Sequence, residues 1–243
     1  QYFRIITCDF GSFCRTVNFT SEGDLLVGCS SYAYLFDMKN YSLKFYTDAF
    51  DNVIQTATEA VYNGLPVVLT ITHTRRVYKL DSCLKNTSQL MVVDKAVTKG
   101  KSRLSVLKDM LILTNCGCDI SIISMSSGSR KDYNIPNTTC INSICSHKSG
   151  HIVTLDSSKG QVSMFQVLNT TEPRLVWSLK ISCNAFAICT DQETGLIFVT
   201  GREKKLHMIS PDGKCVHCCA LQCQTTKLLT FYDNSMCLQR AAL

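Results

Sequence analysis

The densest group of residues that could bind a metal lies in Cys215-Val-His-Cys218-Cys219, with Cys223 shortly after it. Two cysteines separated by two residues are the spacing of a zinc knuckle, and His217 or Cys223 would add ligands. The same run alternates like a β-strand, which would place residues 215 and 219 on one face and residue 218 on the other. A knuckle needs a turn where this pattern predicts a strand. We therefore assign no metal and expect a packed outer strand.

A second pair of thiols, Cys116 and Cys118, is separated by a single glycine and lies in a predicted turn. One intervening residue is not a zinc-binding spacing, and no histidine lies nearby in the sequence. A surface loop is the better interpretation of this pair.

Nucleophilic catalysis would need a serine or cysteine beside a histidine and an orienting carboxylate. The 5 histidines are spread over different parts of the chain: His73, His147, His151, His207 and His217. The nucleophile-elbow pattern G-x-S-x-G does not occur, and residues 100–102 (GKS) end like a phosphate-binding loop without its upstream glycine. We therefore predict a protein that is not an enzyme, with no catalytic residues and no cofactor.

The cysteines also bear on the cellular compartment, because the chain has 15 of them. Most stand inside short apolar runs, such as Cys145 in INSIC and Cys189 in AFAIC, where they serve as small hydrophobic residues. A chain of 243 residues also needs no disulfides to build a stable core. We therefore predict reduced thiols and an intracellular protein of the cytoplasm or nucleus.

N-x-S/T sequences favour a different compartment. They begin at Asn18, Asn40, Asn86, Asn137 and Asn169. Roughly two or three would arise by chance in a chain this rich in serine and threonine. The excess keeps open an alternative, a secreted and glycosylated domain with disulfides.

Length and composition indicate a folded domain. The chain is 45% hydrophobic and 18% charged, with a formal net charge of +6 at pH 7. This balance excludes collagen-like, proline-rich and acidic disordered chains. No apolar run reaches about 18 residues, so we expect no membrane span. We expect residues 1–243 to form a single domain excerpted from a longer protein.

The elements that must position these residues are short β-strands. Apolar stretches of four to eight residues, rich in β-branched and aromatic side chains, are bounded by Gly, Asn, Asp or Ser turns. They recur in groups of four about every 40 residues. The first group is TVNF, DLLVGCSS, YAYLFDM and SLKFYTD. This repeat indicates one four-stranded unit used several times.

Five such groups precede an incomplete sixth, KLLTFYD and SMCLQRAA, and residues 2–7 (YFRIIT) form an unassigned apolar strand at the other end. Propellers repeat four-stranded blades and commonly close by pairing strands from both termini. The sequence therefore predicts an all-β, six-bladed β-propeller with about four strands per blade, the last blade closed by the N- and C-terminal strands. A pair of β-sandwiches is the alternative, although sandwiches lack a fixed period.

The resemblance to known propellers rests on two features. The third-strand endings LFD at 35–37 and KLD at 79–81 stand where WD40 repeats carry Trp-Asp, and residues 193–214 resemble the core of an NHL blade. No Gly-His dipeptide precedes a group, and the single tryptophan, Trp177, stands in a fourth strand. Over its whole length the chain resembles WD40-like and NHL-like propellers, with the subfamily open. The resemblance implies a non-catalytic platform on which other molecules dock.

In such a fold the links between blades open on the same face as the turns between second and third strands, and most of the basic excess falls there. The candidate partner-binding residues are Arg75, Arg76, Lys99, Lys101, Arg103, Arg202, Lys204 and Lys205. We predict that they bind an acidic or phosphorylated segment of a protein partner. An NHL-like RNA-binding propeller is the alternative. RNA-reading surfaces interleave aromatic residues, however, and Phe50 is one of few in these turns. A solvated rim is the remaining interpretation.

Overall fold

The computed structural model of the protein describes residues 4–8, 14–50, 52–74, 76–92, 103–114, 117–168, 172–181, 185–201, 203–221, 226–232 and 235–240. Every regular element within these residues is a β-strand, and no helix occurs among them. The strands coincide with the short apolar runs, and polar turns separate them. The all-β prediction is therefore confirmed for the described part of the chain.

Five sheets have four strands each. The first contains β2 (Cys14–Phe19), β3 (Leu25–Cys29), β4 (Tyr32–Asp37) and β5 (Ser42–Tyr46). The second contains β6 (Ile54–Tyr62), β7 (Leu65–Thr72), β8 (Arg76–Asp81) and β9 (Thr87–Val92). The third contains β10 (Arg103–Leu107), β11 (Met110–Thr114), β12 (Asp119–Ser124) and β13 (Arg130–Asn134). The fourth contains β14 (Ile141–His147), β15 (His151–Asp156), β16 (Gln161–Gln166) and β17 (Arg174–Lys180). The fifth contains β18 (Ala185–Thr190), β19 (Ile197–Gly201), β20 (Lys205–Ile209) and β21 (Cys215–Ala220).

The sheets are arranged radially. Each four-stranded sheet is an antiparallel meander, in which every strand pairs with the next one along the chain. The first strands of successive sheets lie side by side, from β2 through β6, β10 and β14 to β18. The ring is closed by β22 (Thr226–Tyr232), which contacts β18 on one side and β2 on the other. Meanders set around a closed ring of inner strands make a β-propeller.

The prediction of six four-stranded blades is wrong. The described residues form five blades of four strands, and the chain ends form a three-stranded sheet from β1 (Arg4–Cys8), β23 (Ser235–Arg240) and β22. The terminal strands do share this sheet, but β1 pairs with β23 in parallel, whereas a meander requires antiparallel neighbours. A hydrophobic pattern identifies a strand without specifying its partner or direction, because both depend on the path of the chain.

Burial falls from the second strand of each blade to the fourth. All five residues of β11 and of β19 are buried, whereas β13 and β21 have no buried residue. The core lies between blades. Leu26 of the first blade, for example, packs with Ile54 and Val68 of the second. Burying one such aliphatic side chain contributes about 1.5 to 3 kcal/mol. The joints between blades, filled mainly by aliphatic side chains, therefore hold the ring together.

The acidic residues at the ends of third strands shape the following turns. Asp37 Oδ1 accepts hydrogen bonds from the N–H groups of Lys39 at 2.8 Å and Asn40 at 3.2 Å. Asp81 Oδ1 likewise accepts the N–H of Lys85 at 2.8 Å. The backbone hydrogen bonds lower the pKa of Asp37 below its ordinary value. These aspartates thus stabilise turns between third and fourth strands.

Trp177 links the fourth blade to the fifth. It stands in β17, a fourth strand, and its Nε1–H donates a hydrogen bond to the carbonyl of Pro211 at 2.9 Å. Gly213 lies against its ring with φ +83°, and a Cβ added there would stand 2.6 Å from Trp177 Cδ2. The tryptophan therefore requires glycine at this point of the turn, for space as well as for backbone conformation.

Candidate interaction surface

The meander divides the charged residues between two faces. The link face carries the connections between blades and the turns between second and third strands. The turn face carries the turns between first and second strands and between third and fourth strands. Because each strand reverses direction, every inner strand begins at the link face.

A repeated β-bulge lies where the inner strands begin. The register shifts between Cys14 and Thr16 in β2, and at the same place in β6, β14, β18 and β22. The residues left over by these shifts are Arg15, Gln55, Asn142, Phe186 and Lys227. A β-bulge leaves one residue without a partner in the hydrogen-bonded pairing of the two strands and changes the local direction of the chain. These positions therefore surround the link-face mouth of the central channel.

The inner strand of the third blade reaches the same mouth without a bulge, through Arg103. Its Nε–H donates to the carbonyl of Asn142 at 3.2 Å and its Nη1–H to the carbonyl of Arg15 at 3.3 Å. Those carbonyls belong to the fourth and the first blade. The guanidinium therefore lies across the channel. Arg103, Thr16 and Asn18 are among the residues that line a polar cavity of about 60 Å³ there.

The four predicted partner-binding residues that the structure describes share a face but not a patch. Arg76 is exposed at the start of β8 in the second blade, and Lys204 and Lys205 are exposed in the fifth. These blades are not neighbours in the ring. Arg103 is half-buried at its centre. The other four predicted residues lie outside the described residues: Arg75, Lys99, Lys101 and Arg202.

Two acidic side chains on the link face, Glu203 and Asp156, have identifiable partners, and Asp48 is exposed in the link after β5. Lys205 Nζ lies 3.5 Å from Glu203 Oε2 in an exposed ion pair. Asp156 is 2% exposed, and its carboxylate accepts the N–H groups of Thr139 at 2.7 Å and Ser158 at 3.0 Å. Burial alone would raise the pKa of Asp156, but these and further hydrogen bonds outweigh it and lower the pKa. Asp156 thus stabilises its own turn, through Ser158, and joins it to the link between the third and fourth blades, through Thr139.

Arg15 belongs to this surface and was not expected there from the sequence. It is exposed beside the Arg103 guanidinium, which bonds to its carbonyl. A bulge cannot be recognised in a strict alternation of buried and exposed residues, because it adds one residue to one strand only. The one sequence feature that could have indicated this position was a charged residue, Arg15, between two uncharged residues. In the structure those two residues, Cys14 and Thr16, are buried.

Bulging also overturns one expectation about the cysteine-rich strand. β21 is an outer strand, as predicted, but its register shifts so that Cys215 lies opposite Ile209 and Cys218 opposite His207. Cys215 and Cys218 therefore share one face, and the prediction of opposite faces is wrong. Among the residues that the structure describes, no group of three Cys, His, Asp or Glu side chains is arranged to hold a metal ion. Cys223 lies outside them.

The other predicted loop thiol, Cys118, is half-buried, and its sulfur accepts a hydrogen bond from Asn134 Nδ2 at 2.9 Å. Its neighbour in the sequence pattern, Cys116, lies outside the described residues. The hydrogen bond ties Cys118 to the adjacent outer strand, β13.

Two histidines expected to be scattered lie together on the turn face. Ser149 Oγ stands between His147 Nδ1, at 2.6 Å, and His151 Nδ1. His147 Nε2–H donates to the carbonyl of Gly195 at 2.9 Å, so neutral His147 carries its proton on Nε2 and accepts at Nδ1. Burial lowers the pKa of His147. The buried ring joins the fourth blade to a turn of the fifth.

Comparisons with known proteins concern the fold. No family model matches the chain, and no curated protein matches it. A streptogramin B lyase structure is similar, with a TM-score of 0.68 and 11% identity over 94% of this chain and 76% of that one. The β-propeller domain of Cps50 (Swd1) from Myceliophteria thermophila is similar, with a TM-score of 0.69 and 10% identity over 94% of this chain and 76% of that one.

Identities this low carry information about architecture only. One of the two neighbours is named as an enzyme, so the likeness does not exclude catalysis. Within the described part of the chain, no helix has the length and apolar character needed to cross a membrane. Together with the closed ring of inner strands, the structural neighbours identify the chain as a β-propeller.

Proposed function

We propose that this propeller is a non-catalytic protein-interaction module whose link face binds an acidic or phosphorylated segment of a protein partner. The observation that carries the proposal is the Arg103 guanidinium, held across the channel mouth by the carbonyls of Asn142 and Arg15. Carbonyl oxygens orient a guanidinium without cancelling its formal charge. A planar cation fixed in this way suits a carboxylate or a phosphate.

The surrounding charges support the same class of ligand. Arg15 stands exposed at the mouth, and Arg76, Lys204 and Lys205 are exposed further out on the same face. Distributed exposed charges steer an oppositely charged partner and raise its association rate more than its final affinity. We therefore expect Arg103 and Arg15 to contact the acidic groups directly, and the outer residues to act through long-range attraction.

An RNA ligand is the main alternative, and one residue argues against it. Phe50, the aromatic residue expected in a link, is 8% exposed and packs on Tyr78 with ring centroids 5.2 Å apart. A buried ring offers no platform on which a base could stack. Tyr32 and Tyr46 are nevertheless exposed on this face, at the start of β4 and the end of β5.

The compartment belongs to the same proposal, and we place the protein in the cytoplasm or nucleus. Asn18, the first residue of an N-x-S/T sequence, donates its amide to the carbonyl of Ala57 inside the channel and is only partly exposed. Asn40 and Asn86 are exposed, but their amides donate to Asp37 and Asp81. A glycan on Asn18 would conflict with the channel. A mass shift on endoglycosidase treatment of cell-derived protein would instead support the secreted alternative.

The test compares binding of two defined polyanions, polyglutamate and a single-stranded RNA of similar charge, by fluorescence anisotropy. The link-face variant reverses four exposed charges: Arg15→Glu, Arg76→Glu, Lys204→Glu and Lys205→Glu. The control variant makes the same change in net charge away from that face: Lys39→Glu, Lys85→Glu, Lys131→Glu and Lys214→Glu.

We expect polyglutamate to bind the native chain, and the link-face variant to lose about tenfold or more in affinity, with little loss in the control. Arg103→Gln should also weaken binding, and its unfolding midpoint is measured alongside because the guanidinium bonds to two other blades. Equal losses in both variants would reduce the effect to net charge and overturn the proposal. Tighter binding of RNA than of polyglutamate, lost in the link-face variant, would favour the RNA-binding alternative.

A further inference from the structure

Two cysteines of the first blade stand directly opposite each other. Cys14 begins β2, Cys29 ends β3, and the two are paired across the antiparallel ladder. Opposed residues in such a ladder have Cα atoms about 4.5 to 5.5 Å apart, and disulfides span about 4.4 to 6.8 Å. The backbone therefore already provides the spacing that a cross-strand disulfide needs.

The two thiols differ in exposure. Cys14 is 6% exposed, whereas Cys29 is half-buried and lies at the link-face end of its strand. A hydrogen bond from the side chain of Cys14 lowers the pKa of Cys29, against the opposing effect of burial. Cys29 is thus the thiol that meets a solvent oxidant, and Cys14 is the shielded thiol held beside it.

Other cysteines show what an unreactive arrangement looks like. Burial raises the pKa of Cys145 to about 12 and that of Cys189 well above its ordinary value. These thiols stay protonated at neutral pH, and a protonated thiol is a poor nucleophile. Burial alone therefore raises the pKa of a cysteine in this protein, and the lowered pKa of Cys29 reflects its neighbour Cys14.

We propose that Cys14 and Cys29 form a redox-active pair, which hydrogen peroxide converts into a cross-strand disulfide at the link-face edge of the first blade. This inference stands independently of the proposed partner.

The chemistry balances with peroxide as the oxidant. The Cys29 thiolate attacks one peroxide oxygen, the O–O bond breaks, and the hydroxide released takes up a proton to become water, leaving a sulfenic acid. Cys14, as its thiolate, then attacks the Cys29 sulfur, the S–O bond breaks, and a second hydroxide leaves as water after protonation. Overall, two thiols and one hydrogen peroxide give one disulfide and two waters. A dithiol reductant reverses the change by thiol–disulfide exchange.

The position of the bond gives it a structural consequence. Arg15, the bulged residue of the channel mouth, directly follows Cys14. Ser30, which follows Cys29, accepts a hydrogen bond at its carbonyl from the N–H of Ile54 at 2.7 Å, at the entry to the second blade. A disulfide would restrict the bulge and this entry together, and we expect it to raise the unfolding midpoint by roughly 5 °C.

The test maps the disulfide in the whole chain. Reduced protein is treated with hydrogen peroxide, quenched, blocked with N-ethylmaleimide, digested and analysed by mass spectrometry. Trypsin alone would leave Cys14 on the same peptide as Cys8, so a protease that cuts before Asp9 is added. We expect a peptide pair joined through Cys14 and Cys29, lost again on treatment with dithiothreitol.

Variants separate the two roles. Cys14→Ser should leave a sulfenic acid at Cys29 that dimedone traps, Cys29→Ser should abolish the joined peptides, and Cys218→Ser should change neither. The proposal is overturned if Cys29 stays reduced while exposed Cys218 is oxidised, or if Cys29 joins a different cysteine first. The map in the unsubstituted chain decides this even if a variant fails to fold.

Discussion

The two faces of this propeller come from the same repeating unit but use their charged side chains differently. On the turn face, Asp37 and Asp81 are hydrogen-bonded to the backbone of their own turns. On the link face, Arg103 bonds to the carbonyls of two other blades, and Arg15 is exposed beside it. The carboxylates bond within their own turns and stabilise them, whereas the guanidinium bonds to the backbone of two other blades and is thereby oriented across the channel. What a charge is bonded to therefore tells more about its role than which face it lies on.

Gly213→Ala tests the turn face where a glycine lies against the ring of Trp177. The substitution puts a Cβ 2.6 Å from Trp177 Cδ2 at a φ of +83°, so strain and steric overlap act together. We expect a loss of about 3 kcal/mol in the free energy of unfolding, measured by urea denaturation.

Gly64→Ala is the matched control, because its φ is +77° and nothing lies within 4 Å of the added Cβ. It should lose only about 1 kcal/mol. Equal losses would mean that Trp177 does not pack against this turn as the structure has it.

Asp156→Asn tests whether a carboxylate on the link face stabilises the fold, as the carboxylates of Asp37 and Asp81 do on the turn face. The N–H of Thr139 now bonds to Oδ2 and the N–H of Ser158 to Oδ1, so the amide would leave one of these two donors facing its NH₂ group. We expect a loss of about 2 kcal/mol in the free energy of unfolding, determined by urea denaturation. Asp119→Asn, at an exposed link-face position, should stay within about 0.5 kcal/mol. A neutral Asp156→Asn would break the assignment of Asp156 to the fold.

Acidification should destabilise the turn face through His147. Burial, together with the nearby His151 and Lys148, lowers the pKa of His147 below its ordinary value of 6.5. The unfolded chain then binds more protons than the folded one, so stability falls as pH drops through that value. Protonation would also place a hydrogen on Nδ1, which now accepts from Ser149.

Urea midpoints of the native chain between pH 8 and pH 5 measure this effect, with His147→Gln as the non-titrating control. We expect the decline below pH 6.5 to be smaller in the variant. Identical pH profiles would remove His147 from the explanation.

Much of the fold could be predicted from short stretches of sequence. The apolar runs became strands, third-strand aspartates became turn residues, and Trp177 stands in a fourth strand as expected. Each of these features depends on residues close together in the chain, such as Asp37 and the N–H of Lys39. Such patterns survive in a single sequence because turn geometry and strand periodicity are local.

The candidate surface was harder to foresee. Arg103 was expected on the correct face, but only as one of many charges, and Arg15 was not expected there at all. Arg15 is at the channel mouth because its strand has a β-bulge there. A β-bulge depends on the register between two strands, which the sequence of one strand does not specify. Phe50 was expected on an accessible link and is buried on Tyr78, more than twenty residues away in the chain.

By itself the sequence determined an all-β chain of repeated four-stranded units, and it predicted an excess of basic residues at one end of the strands. Only the tertiary structure decided that five blades have four strands and that the chain ends meet in parallel. It also decided that Arg103 lies across the channel and that Cys14 faces Cys29. The physical reason is that strand formation follows from local side-chain periodicity. Register, direction and closure depend on contacts between residues far apart in the chain, which a single strand's pattern does not specify.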